Sequence, residues 1–150
     1  MTHGCLLIID DDREIWLHTY HTGMDIPLVV RNAIATLANN WKDVAAIGLE
    51  DGKTPEEAVE SFLSHGTYTE RLTYGKSAAA LIIAAQPCFL EPLFPAYRKD
   101  LPTWSGLEHP YTLRIIDEER WVLTDEDGKE LFDVNVFDEL KSELVKLLKV

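Results

Sequence analysis

The chain has 150 residues, 46% of them hydrophobic and 27% charged, the balance of an ordinary globular domain with one hydrophobic core. Its 26 acidic and 14 basic side chains leave a formal net charge of −12. A field of that sign repels nucleic-acid phosphates and anionic lipid surfaces, and no apolar run approaches the roughly 18 residues of a membrane span, so neither nucleic acid nor membrane is expected as a direct partner.

The charge is uneven. Residues 117–139 carry ten acids and two bases, whereas residues 76–116 are close to neutral. The first residues contain no basic stretch leading into an apolar one, which points to the cytoplasm. Cys5 and Cys88 lie among apolar neighbours and form no Cys-x-x-Cys pair, so both are expected to be buried thiols.

In chain order, the β-rich run Cys5–Ile9 leads through Asp10, Asp11 and Asp12 into a second β-rich run from Glu14 to His21. Two such runs around a polar cluster predict a hairpin, with the short acidic side chains satisfying the turn backbone. Asp25-Ile26-Pro27 then reads as a helix start, a cap followed by a proline in the first turn. Ile26, Val29, Val30, Ala33, Ile34, Leu37, Trp41 and Val44 recur at helical spacing and predict a helix to about Ala46, stopping near Gly48.

Thr54-Pro55-Glu56-Glu57 is a more specific start. Thr54 can accept from the amide three residues on, Glu57 can reach back, and Pro55 is preset for the first turn. Residues 67–74 fit a strand or a loop, and Lys76–Gln86 reads as an alanine-rich buried helix that Pro87 ends. Five prolines from Pro87 to Pro110 predict a long irregular connection.

Strands are expected at Tyr111–Ile116, Arg120–Thr124 and Lys129–Val134, the last two joined by an Asp125-Glu126-Asp127-Gly128 turn. Asn135 should cap a final helix whose stripe is Val136, Leu140, Leu144, Leu147 and Leu148. The order of elements predicts one α+β domain over residues 1–150. Its mainly antiparallel sheet would come from the N- and C-terminal hairpins, with three to four helices packed on it.

Three sets of residues are candidates for function. The acidic run Asp117, Glu118, Glu119, Asp125, Glu126 and Asp127 would meet a basic protein surface. The near-neutral middle offers Arg71, Tyr74, Lys76, Ser77 and Arg98 to a small phosphate-bearing ligand such as a signalling nucleotide. Tyr74-Gly75-Lys76-Ser77 precedes a helix, but Glu70 stands where a phosphate loop needs its first glycine.

The third set is His18, His21 and Asp25, which could serve a hydrolase with a histidine base oriented by a carboxylate. On a strand, residues three apart point to opposite faces, so His18 and His21 do not share a metal; no metal or cofactor is expected from the sequence pattern. With no Gly-x-Ser-x-Gly element and no assembled triad, an acidic binding protein without catalytic activity is the first expectation.

Met1-Thr2-His3-Gly4-Cys5 with its following strand, the acidic turn, Ile15-Trp16-Leu17-His18 and Gly23–Pro27 resembles the N-terminal pattern of a group of small phage and prophage proteins. In that group a strand ends near a His/Arg-aromatic-Asp-Gly-Tyr-Pro segment before a helix; here Thr22-Gly23-Met24-Asp25-Ile26-Pro27 stands in place of the Asp-Gly-Tyr-Pro core. Gly106-Leu107-Glu108-His109-Pro110-Tyr111-Thr112-Leu113 is similar to a later segment of the group. The resemblance implies a phage-like origin and an α+β fold, compatible with an inhibitor or anti-defence factor, and it brings no functional residues with it.

Overall fold

Two-residue alternation shapes the N-terminal hairpin. In a computed structural model, which describes residues 4–10, 13–19, 25–64, 78, 82, 94–96, 109–117 and 119–149, β1 (Gly4–Asp10) pairs antiparallel with β2 (Arg13–Thr19). Leu6 stands opposite Leu17 and Ile8 opposite Ile15, and all four enter the core. Cys5, Leu7, Trp16 and His18 alternate with them and take the other side of the sheet. Where the hairpin turns, the Arg13 guanidinium donates to the buried Asp10 carboxylate at 2.9 Å.

Helix α1 (Ile26–Ala45) begins where its periodicity starts, with Pro27 in the first turn. Asp25 occupies the N-cap position, but its backbone is near-helical (φ −91°, ψ −4°) and its side chain makes no capping bond, so the expected cap is positional only. The buried stripe runs from Ile26 to Ala45. Val44 departs from the expected stripe and is 45% exposed, because the last turn of α1 packs through Ala45 instead.

A single turn, α2 (Ile47–Glu50), follows, and then α3 (Pro55–Leu63). The capping box of α3 is present as the sequence predicts. Thr54 Oγ1 accepts from the Glu57 amide and Glu57 Oε1 from the Thr54 amide, both at 3.2 Å. Gly48 is required by close approach, since a Cβ there would sit 2.8 Å from the Ala58 Cβ of α3. Trp41 of α1 meets Phe62 of α3 edge-to-face, with ring centroids 5.7 Å apart.

Ala78 and Ile82, from the segment expected as an alanine-rich helix, are helical and fully buried in the same core. Within the span expected to be irregular, a short strand, β3 (Phe94–Ala96), pairs antiparallel with β2. β4 (His109–Ile116), β5 (Arg120–Thr124) and β6 (Glu130–Asn135) form a meander. α4 (Val136–Leu148) closes it, capped by Asn135 Oδ1, which accepts from the Phe137 and Asp138 amides at 3.0 and 3.1 Å.

The six strands lie in the order β3-β2-β1-β4-β5-β6. The expected α+β class holds, but the mainly antiparallel sheet is corrected to a mixed one. The two end hairpins join through β1 and β4, which run parallel, with Gly4 beside His109 and Ile8 beside Leu113. The cause is connectivity. The long excursion through the helices returns the chain to the end of the sheet where β1 began, and a strand entering from that end can only run alongside β1.

Helices α1, α3 and α4 cover one face. Beneath them Leu6, Ile8, Leu17, Leu113, Trp121 and Leu123 are fully buried, together with Leu140 and Leu144 of α4. Two ion pairs, Lys141–Glu60 at 3.0 Å and Lys149–Glu56 at 2.7 Å, tie α4 to α3 at the surface.

Candidate functional site

The opposite face of the sheet carries a cleft of about 520 Å³. Its floor is Cys5 and Leu7 of β1 with Pro110 and Thr112 of β4, the residues that two-residue alternation turns away from the helices. One wall is Glu14 and Trp16 of β2. The other is the turn between β5 and β6, which contributes Asp125, Glu126 and Asp127. Four carboxylates therefore line the cleft, with no basic side chain among its described lining residues.

The acidic turn is held in shape by its own first residue. Asp125 Oδ1 accepts from the Asp127 and Lys129 amides, both at 2.9 Å, and the Asp125 amide donates to the Lys129 carbonyl at 3.0 Å. Gly128, at φ +79°, supplies the left-handed residue that lets the chain turn back. With Asp125 engaged by backbone, Glu126 and Asp127 are the exposed carboxylates that the turn presents. The turn's charges also reach Tyr111 on the neighbouring strand, whose register with Leu6 sets it on the helix face. Burial raises the Tyr111 phenol above its ordinary pKa, and the charges of Asp125 and Glu126 raise it further.

Cys5, at the floor, is 1% exposed. Burial pushes its thiol up to about 11, partly offset by a hydrogen bond with the Tyr111 backbone. It stays protonated at neutral pH and is an inert, weakly polar floor rather than a nucleophile. Glu14, Asp125, Glu126 and Asp127 give the cleft a negative lining, the sign that attracts cations.

Two smaller cavities lie in the helix layer. The one of about 300 Å³ between α1, α4 and β6 is lined by Arg31 and Lys146 together with Glu139 and Glu143, so its charges balance. The other, about 220 Å³ beside α2 and α3, is bordered by the exposed Val44 and Ile47.

The acidic candidates divide between two turns. Asp125, Glu126 and Asp127 line the cleft. Asp117, at φ +52°, and Glu119 belong to the β4–β5 turn at the other end of these strands, and Glu118 lies outside the described residues. The five described acids of that run thus fall in two separate groups.

His18 stands on β2 opposite Cys5 and is 3% exposed; Asp25 precedes α1, and His21 lies outside the described residues. Arg71, Tyr74, Lys76, Ser77 and Arg98 also lie outside the described residues. Among the described residues no three His, Cys, Asp or Glu side chains come together in a way that could hold a metal ion. No described helix is long and apolar enough to cross a membrane.

No sequence pattern joins Trp16 or Glu14 to the acidic turn. Their juxtaposition depends on the parallel β1–β4 seam, for which the chain carries no local signal. No family model, no curated protein and no solved structure matches this chain.

Proposed function

We propose that this protein is an acidic, non-enzymatic binding module that docks a basic surface of a partner protein in the cytoplasm, using the cleft on the sheet face opposite helices α1 and α4. The observation that carries the reading is the cleft itself, a concave surface of about 520 Å³ where Trp16 and four carboxylates converge on a protein of net charge −12. Charge of that sign accelerates encounter with a cationic partner, and the aromatic side chain supplies contact area once the partner is seated. The resemblance of the N-terminal and 106–113 segments to phage and prophage proteins supports a host factor as the target, with the protein acting as an inhibitor or anti-defence factor.

Calorimetric titration with a hexa-arginine peptide at low and high salt tests the reading. Affinity falls steeply as salt screens the exposed charges. The double variant Glu126→Gln/Asp127→Asn weakens binding, whereas Glu50→Gln/Asp51→Asn, an equal charge change beyond the helix layer, leaves it nearly intact. Equal losses in the two variants would reduce the interaction to net charge and remove the cleft as the site.

A further inference from the structure

We infer that the outer edge of β6 is a second docking surface, which takes a short extended segment of a partner, with alternating apolar and basic side chains, as a seventh strand. β6 ends the sheet: its neighbour is β5, and no described strand lies beyond it. The Val136 amide donates to the Glu119 carbonyl at 2.8 Å, which sets the phase of the ladder. By two-residue alternation Val134 bonds back to β5, whereas the amide and carbonyl of Asp133 and the amide of Asn135 turn to the outer edge. An edge of this kind is a template for a further strand. Leu131 has no counterpart on β5, because Phe132 faces Leu123 and Glu130 faces Thr124, so the regular edge starts at Phe132 and the guest is short.

The side chains along the edge differ by face. Phe132 and Val134, opposite Leu123 and Trp121, turn to the helix side and are half-buried there. They line the cavity of about 300 Å³ whose other apolar walls are Val30 and Ile34 of α1. Because that cavity reaches the last strand, an apolar side chain of an added strand has a place to enter and be buried. Glu130 and Asp133, opposite Thr124 and Val122, take the other face and are exposed.

Charge selects the guest. Residues 125–130, which lead into β6, hold four acids and one base. Asp133 is engaged by Arg120 at 2.8 Å, so the acidic excess lies at the Glu130 end of the strand, and a basic residue of the guest belongs there. The charges lining the cavity balance, which leaves its apolar walls to an uncharged side chain. A second copy of this chain would bring its own net charge of −12 to the edge, and that opposes self-pairing. No residue of β6 lines the cleft on the opposite face, so the edge stands or falls independently of the cleft.

NMR titration of the full chain with a capped five-residue peptide of alternating lysine and valine tests this. The Asp133 amide shifts on binding, and the same peptide with glutamate for lysine does not bind. Two N-methylated versions share charge and side chains. Methyl groups on one alternate set of peptide amides weaken binding about tenfold, and on the other set leave it nearly intact, because only every second amide faces β6. Asp133→Pro removes the outward donor and loses binding, whereas Asp133→Asn keeps the donor and stays within about twofold of the native chain. If Asp133→Pro does not fold, the methylated pair decides the matter on the native chain.

Equal affinity for the two methylated peptides overturns the inference, as does equal binding of the lysine and glutamate peptides. Shifts at Leu7 and Thr112 with none at Asp133 place the peptide in the cleft, which overturns the edge and supports the cleft. A dimer of the chain alone that Asp133→Pro disperses makes a second copy the occupant, and the basic-segment assignment falls.

Discussion

The two faces of the sheet are built from alternate residues of the same strands, and they differ in kind. On the helix side Leu6, Ile8, Leu17, Leu113, Trp121 and Leu123 are fully buried against α1, α3 and α4. On the other side Leu7, Trp16 and Thr112 are only half-buried, and the rim is carboxylate. The second face is not bare either: Cys5 and His18 are buried on it, at 1% and 3% exposure, and the half-buried and acidic residues lie around them. The exposed carboxylates of Glu14, Glu126 and Asp127 contribute little to folding, and the proposed function is what gives them a role.

The sharpest way to break this division is to truncate a tryptophan on each side. Trp121→Ala removes a fully buried ring beneath the helices and costs about 3–5 kcal/mol in urea denaturation. A loss below about 1 kcal/mol would mean that the helix side is not the core. Gly48→Ala should cost less, about 1–3 kcal/mol, because the new methyl meets the Ala58 Cβ at 2.8 Å and that atom is fixed by the α3 backbone. An unchanged melting temperature would show that α2 is free to move away from α3.

Thr54→Ala removes half of a capping box and lowers stability by about 1 kcal/mol, whereas Thr54→Ser restores most of it. Trp16→Leu, on the cleft side, costs on the order of 1 kcal/mol in stability and weakens binding of the hexa-arginine peptide. Large destabilisation there, with binding intact, would reverse the roles of the two faces.

The smallest effect is electrostatic and appears only with pH. The Arg120 guanidinium beside Asp133 holds that carboxyl below the usual carboxylate range. A folded pKa below the unfolded one contributes stability above the unfolded value, and the contribution fades as pH falls through the folded one. The pair is solvent-exposed, so the gain is slight. Asp133→Asn should lower the urea midpoint marginally at neutral pH, and the difference should shrink as pH falls through the acid range. A gap that persisted in acid would have another origin.

Local features were legible in the sequence where a few adjacent residues decide them. Thr54-Pro55-Glu56-Glu57 announced α3, Asn135 announced α4, and Asp125–Gly128 announced its turn, because capping and turn chemistry act within three or four positions. The stripe of α1 was legible from period alone, except at Val44, where the choice between neighbouring residues rests with the packing partner.

The parallel seam was not legible. Cys5–Ile9 and Tyr111–Ile116 are both simply β-rich and apolar, and nothing in either run specifies the direction in which it meets the other. The acidic turn was visible as charge, but its pairing with Trp16 and Glu14 was hidden for the same reason, since the two walls are brought together only by that seam.

The seam also sets the order of events at the ribosome. Gly4 cannot find His109 until the whole helical excursion has been synthesised, a delay of roughly 5–20 s at ordinary elongation rates. Until then one side of β1 has backbone donors and acceptors with no neighbouring strand, in a nascent chain that already contains its own hairpin. The middle of the finished sheet is therefore the last part of it to be joined, and substitutions that slow that joining should reduce yield in the cell more than they reduce the stability of the purified protein.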